Sequence, residues 1–84
     1  MNIQIVKQPA LLKQFAFSKS TLFNQIKQGL MPSSIPLGNR AIGYLQHELD
    51  AVLQARIAGQ SPAQIKALVT SLKVKRTEDL LNID

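Results

Sequence analysis

The chain has 84 residues, which is enough for one modest hydrophobic core and predicts a single binding surface rather than a deep substrate cleft. It contains no cysteine, so a disulfide framework and a thiolate zinc site are both excluded, and a reducing, cytoplasmic setting is expected. The N-terminal residues lack the apolar run of a signal peptide, and no stretch approaches the roughly 18 apolar residues of a membrane span. We therefore expect a soluble, unexported protein.

The net charge of +5 is distributed unevenly along the chain. Residues 48–84 carry five basic and five acidic side chains, so their charges cancel. Residues 1–47 carry five basic side chains and no acidic one: Lys7, Lys13, Lys19, Lys27 and Arg40. Such a basic half favours a polyanionic partner, and nucleic acid rather than a membrane, because no Lys-rich amphipathic helix with bulky apolar residues is present. Charge alone leaves simple solubility open as the explanation.

The first elements predicted are an extended segment and a helix. Residues 2–6 alternate polar and apolar side chains, which indicates a short strand that can pair with a later one. A first helix is predicted from Gln8 to Phe15, with Pro9 in its first turn and Leu11, Leu12 and Phe15 at helical spacing. The three residues 16–18 then form a link of the length typical of a helix-turn-helix.

The second helix has the clearest boundaries. Ser18 is its predicted N-cap and Gly29 its stop, which gives a helix over residues 19–28. Its predicted apolar stripe consists of Leu22, Phe23 and Ile26. The other side chains are rich in hydrogen-bonding groups and include no acid: Ser20, Thr21, Asn24, Gln25, Lys27 and Gln28.

A β-hairpin is predicted next. Two β-prone runs, residues 35–37 and 40–44, flank Gly38 and Asn39, which favour a two-residue turn because glycine accepts a positive φ. Arg40 is thereby placed at the hairpin tip. Pro36 cannot donate a ladder hydrogen bond, so the first strand is predicted to be an edge strand.

Two more helices and a tail complete the prediction. The third helix covers residues 46–58, with acids in its first turn and an apolar stripe formed by Leu45, Leu49, Val52, Leu53 and Ile57. The fourth covers residues 62–73, with Ser61 as N-cap, and its apolar side chains indicate either core packing on the third helix or a dimer seam: Ile65, Leu68, Val69 and Leu72. Residues 1–73 then form the domain, and residues 74–84 are predicted to be a loosely ordered tail with at most one helical turn.

Two small clusters of charged side chains suggest further sites. Residues 73–76 form a basic run that is either solvated or adds phosphate contacts. His47, Glu48 and Asp50 could suggest a metal or acid-base site, but the chain has no second His and no Cys to complete a metal shell. Acids at a helix start also have an ordinary explanation in the helix dipole. We therefore predict no metal, no cofactor, no small-molecule substrate, no catalytic residue and no enzymatic activity.

Several motifs, in order and at their spacing, resemble the AlpA family of prophage regulators. These are residues 18–23, residues 26–29 with Pro32 behind them, Leu37-Gly38 with Arg40, and residues 48–51. The resemblance covers residues 6–53, and the family lies within the MerR-like winged helix-turn-helix group that also contains phage excisionases. It implies a mainly α fold with a small β-hairpin: a winged helix-turn-helix, here with an extra C-terminal helix.

The sequence departs from the family pattern in four places. Ala16 stands where the family often has Gly, and Tyr44 and Val52 stand where it often has Trp. Phe23-Asn24 replaces a typical Tyr-Arg, which removes one basic contact and puts the family's base preference in doubt.

The resemblance implies that the second helix enters the major groove of DNA. Ser20, Asn24 and Gln25 are then the base-reading candidates, since Asn and Gln can pair with adenine. The candidates for phosphate or backbone contacts are Lys19, Thr21, Lys27 and Arg40. Thr21 is equally a capping partner, and Arg40 can reach either a phosphate or the minor groove.

The predicted function is that of a sequence-specific, DNA-binding transcriptional regulator of a prophage or genomic-island gene. Its partner would be double-stranded DNA, bound by a homodimer or by cooperative side-by-side copies, because one such module buries only about 600 to 1,000 Å². Two alternatives stay open. One is an excisionase that bends DNA for recombination, and the other is a protein-interaction adaptor that does not bind DNA.

Overall fold

Four α-helices and three short β-strands make up the fold, and the computed structural model describes residues 3–81. The elements in chain order are β1 (Ile5–Val6), α1 (Gln8–Phe15), α2 (Lys19–Lys27), β2 (Ile35–Gly38), β3 (Ala41–Leu45), α3 (Gln46–Ile57) and α4 (Pro62–Leu81). The prediction of a mainly helical protein with a small β-hairpin is confirmed, and the arrangement is compatible with a winged helix-turn-helix. Asn2 of the predicted N-terminal strand lies outside the described residues.

The three strands form one antiparallel sheet in the order β1-β3-β2. The N-terminal extended segment pairs with a later strand as predicted, since Val6 lies opposite Tyr44. Pro36 lies on β2, which is an edge strand as predicted, the position in a sheet where proline is tolerated.

The hairpin turn lies one residue later than predicted. Gly38 pairs with Ala41, so the turn consists of Asn39 and Arg40, and the predicted Gly38-Asn39 turn is wrong. The register shifts between Pro36 and Gly38, which indicates a bulge there, and Gly38 takes a φ of +115°. Asn39 supplies the positive φ of the turn, at +47°, a conformation that Asn tolerates. Arg40 still lies at the hairpin tip.

The change of direction between α1 and α2 depends on Ala16. This residue adopts the left-handed conformation, with φ 55° and ψ 39°, and ends α1 at Phe15. The N–H of Phe17 then donates to the carbonyl of Leu12 at 3.0 Å, which closes the helix end. Ala16 is the position at which the resembled family often has glycine, the residue that adopts this conformation without steric cost.

The hydrophobic core lies where α1, α2, β3, α3 and α4 meet. Its buried apolar side chains are Val6, Leu11, Leu22, Met31, Tyr44, Leu49, Val52, Ala55, Ile65 and Val69. The apolar stripe of α4 packs into this core against α3, which confirms the core prediction for the fourth helix. Burial raises the pKa of the Tyr44 hydroxyl above its ordinary value.

Ile57, a member of the predicted stripe of α3, faces solvent instead of the core. Ile57 is 78% exposed, whereas Ala55 is buried. At about 100° per residue, Ile57 lies roughly 200° around the helix from Ala55 and therefore faces away from α4.

The C-terminal helix is longer than the sequence indicates. α4 continues to Leu81, so the prediction of a loosely ordered tail from residue 74 is wrong as far as residue 81, and residues 82–84 lie outside the described residues. The added length up to Arg76 is held against α3 by a buried ion pair. Arg76 donates to both carboxylate oxygens of Glu48, at 2.6 and 2.5 Å, and to the carbonyl of Ser33 at 2.9 Å.

Glu48 is the only charged side chain buried in the described part of the chain, at 0% exposure. A carboxylate without water needs a cation and hydrogen bonds to offset its desolvation. Arg76, whose side chain is 20% exposed, supplies both from α4. The basic run at residues 73–76 is therefore not uniformly solvated, because Arg76, its last residue, is bound to Glu48.

No helix within residues 3–81 combines the length and the apolar character that crossing a membrane would require.

We expect Arg76→Met to lower the free energy of unfolding by about 3 kcal/mol, because it leaves the Glu48 carboxylate buried without a partner. The double variant Glu48→Met/Arg76→Met should recover most of this loss, since two apolar side chains replace the pair. Urea denaturation measures both effects. Lys75→Met, at an exposed neighbouring position, is the control and should change the free energy by less than about 0.5 kcal/mol. Equal destabilisation of the single and double variants would contradict this account.

Candidate nucleic-acid interface

The N-terminus of α2 is fixed by a hydrogen-bonded pair of hydroxyl side chains. Ser18, in an extended conformation, accepts a hydrogen bond from the backbone N–H of Thr21 at 3.2 Å. The two hydroxyl oxygens lie 2.9 Å apart, within hydrogen-bond distance. Thr21 is only partly exposed and thus serves as the capping partner that the sequence allowed.

The inward polar side of α2 is bound to α3. Gln25 accepts a hydrogen bond from Arg56 at 2.8 Å through its Oε1, and the same guanidinium donates to the carbonyl of Leu30 at 3.3 Å. The guanidinium carbon also lies 5.6 Å from the ring centre of Phe17, a distance suited to a cation-π contact. The structure therefore directs Gln25, one of the three base-reading candidates, toward Arg56 and not toward the outer face.

The outward face of α2 keeps the other two base-reading candidates. Ser20 and Asn24 are exposed and lie four residues apart, one helical turn, on the same face. Lys19 and Lys27 are exposed as well. In the described residues none of these four side chains has a hydrogen bond or ion pair to another part of the protein.

Phe23 also belongs to this outward face, although the sequence pattern placed it in the core stripe. Its side chain is 49% exposed, whereas Leu22 is fully buried and Ile26 is packed against the core. The prediction that Phe23 is a core residue is therefore wrong. Phe23 lies about 60° from Ile26 and about 100° from Leu22 around the helix, at the edge of the stripe, so periodicity alone does not decide whether it is buried.

Two further basic residues flank this region. Arg40 is exposed in the turn between β2 and β3. Lys66, which sequence reasoning counted only in the charge balance, lies beside the end of α2. A Cβ atom added to Gly29 would be 3.8 Å from the Cγ of Lys66. No sequence signal places Lys66 there, since the contact depends on how α4 packs.

The possible metal or acid-base site at the start of α3 does not form. Glu48 is bound by Arg76, and Asp50 accepts a hydrogen bond from Gln46 at 2.8 Å. His47 is partly buried, and its Nδ1 has no hydrogen-bond partner. Across residues 3–81 no three His, Asp or Glu side chains gather in a way that could hold a metal ion. That the protein uses no metal or cofactor stays a prediction.

A short helix pair with a tight turn, a polar second helix and a following hairpin define a small protein of the helix-turn-helix class. Comparison with known protein families narrows this class. Residues 4–57 match the family described as Prophage CP4-57 regulatory protein (AlpA). This match covers more than half of the chain, so the protein belongs to the AlpA family of prophage regulatory proteins, and the predicted resemblance is confirmed.

One relative is a viral protein of undetermined role. An uncharacterised protein, ORF88, of Enterobacteria phage P4 is 28% identical over 57 residues, which cover 68% of this chain and 65% of the phage protein. The match thus spans slightly less than two thirds of the relative's own length. No solved structure shows a significant match to the chain.

We expect the two polar faces of α2 to respond differently to truncation. Gln25→Ala should lower the free energy of unfolding by about 1 to 2 kcal/mol, because the partly buried guanidinium of Arg56 loses its side-chain acceptor. Asn24→Ala, one position away on the outer face, should change it by less than about 0.5 kcal/mol. Thermal or urea unfolding of both variants measures the difference, and equal effects would contradict the division into two faces.

Proposed function

We propose that this AlpA-family protein is a sequence-specific DNA-binding regulator that acts in the cytoplasm on a prophage or genomic-island promoter, and that it is not an enzyme. One observation carries the proposal: the outward face of α2 presents free polar and basic side chains with no acid, in a family of prophage regulatory proteins. Double-stranded DNA matches this face in charge and in hydrogen-bonding groups.

Each exposed residue then has a distinct role. Asn24 would read adenine through its N6 and N7 groups in the major groove, and Ser20 would contact a neighbouring base edge. Lys19 and Lys27, on either side of these residues along α2, would contact phosphates. Arg40 at the hairpin tip would contact the backbone or the minor groove, as in a winged, MerR-like arrangement. Lys66 would add a phosphate contact near the end of α2.

The size of this surface favours binding by more than one copy. A single module of this kind buries about 600 to 1,000 Å² on DNA, which is small for tight specific binding. We therefore propose repeated or adjacent half-sites, occupied by a dimer or by side-by-side copies. The regulatory description of the family supports a transcriptional role over excision.

DNA binding should depend steeply on salt. Four exposed cations, Lys19, Lys27, Arg40 and Lys66, predict a slope of about −3 to −4 for log K against log salt concentration. Affinity for duplex DNA should thus fall roughly 60- to 250-fold between 50 and 200 mM salt. Fluorescence anisotropy with a labelled duplex measures this dependence. Absence of binding at 50 mM salt would overturn the proposal and leave a protein-interaction adaptor as the remaining role.

Substituting a base-reading side chain and substituting a phosphate-binding one should affect DNA affinity in different ways. Asn24→Ala should lose about 1 to 3 kcal/mol of binding free energy on the preferred site and little on random DNA, whereas Lys27→Ala should weaken both to a similar extent. The preferred site is first obtained by selection from a random duplex pool. Competition binding then gives the ratio of specific to random affinity, and an unchanged ratio for Asn24→Ala would show that this residue does not read bases.

A further inference from the structure

Phe23 is a large aromatic side chain whose exposure the fold does not explain. It is 49% exposed and is not among the partly buried side chains packed against the core. The core takes Leu22 and Ile26 from the same helix, so the inward face of α2 is already filled. The ring is therefore available to a partner, and aromatic side chains are enriched in the centres of binding interfaces.

The surroundings of Phe23 indicate what kind of partner would cover it. Lys19 and Lys27 lie four residues before and after it, and Ser20 lies three residues before it, so all three are its neighbours on the helix surface. The helix surface has two cations beside an aromatic ring and carries no acid. It is therefore suited to bind a polyanion that also presents a small apolar group. In the major groove of duplex DNA that group is the C5 methyl of thymine.

We propose that Phe23 is a specificity-determining residue that reads thymine by packing its ring against the C5 methyl group. This inference rests on the proposed function, since it assigns a role within the same interface. Asn24, the next residue, suits adenine. The two side chains together select sites that contain A·T base pairs, and Phe23 replaces Gln25 as the third base-reading residue.

The test removes the methyl group and the ring separately. In the duplex selected by the wild-type protein, each thymine is replaced in turn by deoxyuridine, which lacks only the C5 methyl, and affinities are measured by anisotropy. At one or two positions the wild-type protein should lose about fourfold in affinity, the effect of leaving one methyl group unburied. The Phe23→Ala variant should bind the thymine and deoxyuridine duplexes equally at those positions.

The matched control is Ile57→Ala, which truncates another exposed apolar side chain, on α3. This variant should keep the wild-type ratio of thymine to deoxyuridine affinity. The fold of Phe23→Ala is checked by its unfolding midpoint, which should be close to that of the wild type because the side chain is half exposed.

Three outcomes would overturn the inference. A Phe23→Ala variant with the wild-type ratio at every position would show that the ring does not contact a methyl group, while the proposed DNA binding would stand. Loss of self-association in Phe23→Ala without DNA, with the ratio unchanged, would assign the ring to a contact between protein copies. Failure of the wild-type protein to bind any duplex would overturn both the inference and the proposed function.

Discussion

Burial of the Glu48 carboxylate is the constraint on which the arrangement of the helices depends. Glu48 shares one face of α3 with Val52 and Ala55 and, like Val52, is fully buried, so its charge must be matched from within the protein. Arg76 does this from α4, and its remaining hydrogen bond holds the Ser33 carbonyl in the loop that joins α2 to the hairpin. One guanidinium thus connects the C-terminal helix, α3 and the segment that leads from α2 to Arg40.

A second guanidinium fixes the inward side of α2. Arg56 binds Gln25 and the Leu30 carbonyl and lies over the ring of Phe17. It therefore connects α3 to α2 itself and to the segments just before and just after α2. The polar residues of α2 therefore fall into two groups. Those facing inward hold the helix in place, and those facing outward remain free to bind. If this face binds DNA as proposed, a helix held in this way would lose little conformational freedom on binding.

The sequence predicted the elements with strong local signals and missed those that depend on packing. Ser18, Gly29 and Ser61 define helix ends by local hydrogen bonding and backbone conformation, so these boundaries could be predicted. The shifted hairpin turn depends on an irregular register beside Leu37, which no residue pattern specifies. Arg76 lies four residues after Leu72 and continues the buried stripe of α4, but its charge made it look solvated. Gln25 was predicted to face outward and Phe23 inward, and the structure has the reverse. Periodicity gives angles around a helix and does not say which neighbour covers a side chain.

If DNA binds the outward face of α2 while the Glu48–Arg76 ion pair keeps the helices in place, binding should alter the surroundings of α2 and leave the ion pair intact. An NMR titration of the ¹⁵N-labelled protein with duplex DNA at low salt tests this. We expect the largest shifts on the amides of Lys19, Ser20 and Asn24 and on the hairpin tip at Arg40, with the Arg76 side-chain N–H signal unchanged. Shifts centred on the outer surface of α4, with those of α2 unaffected, would contradict it.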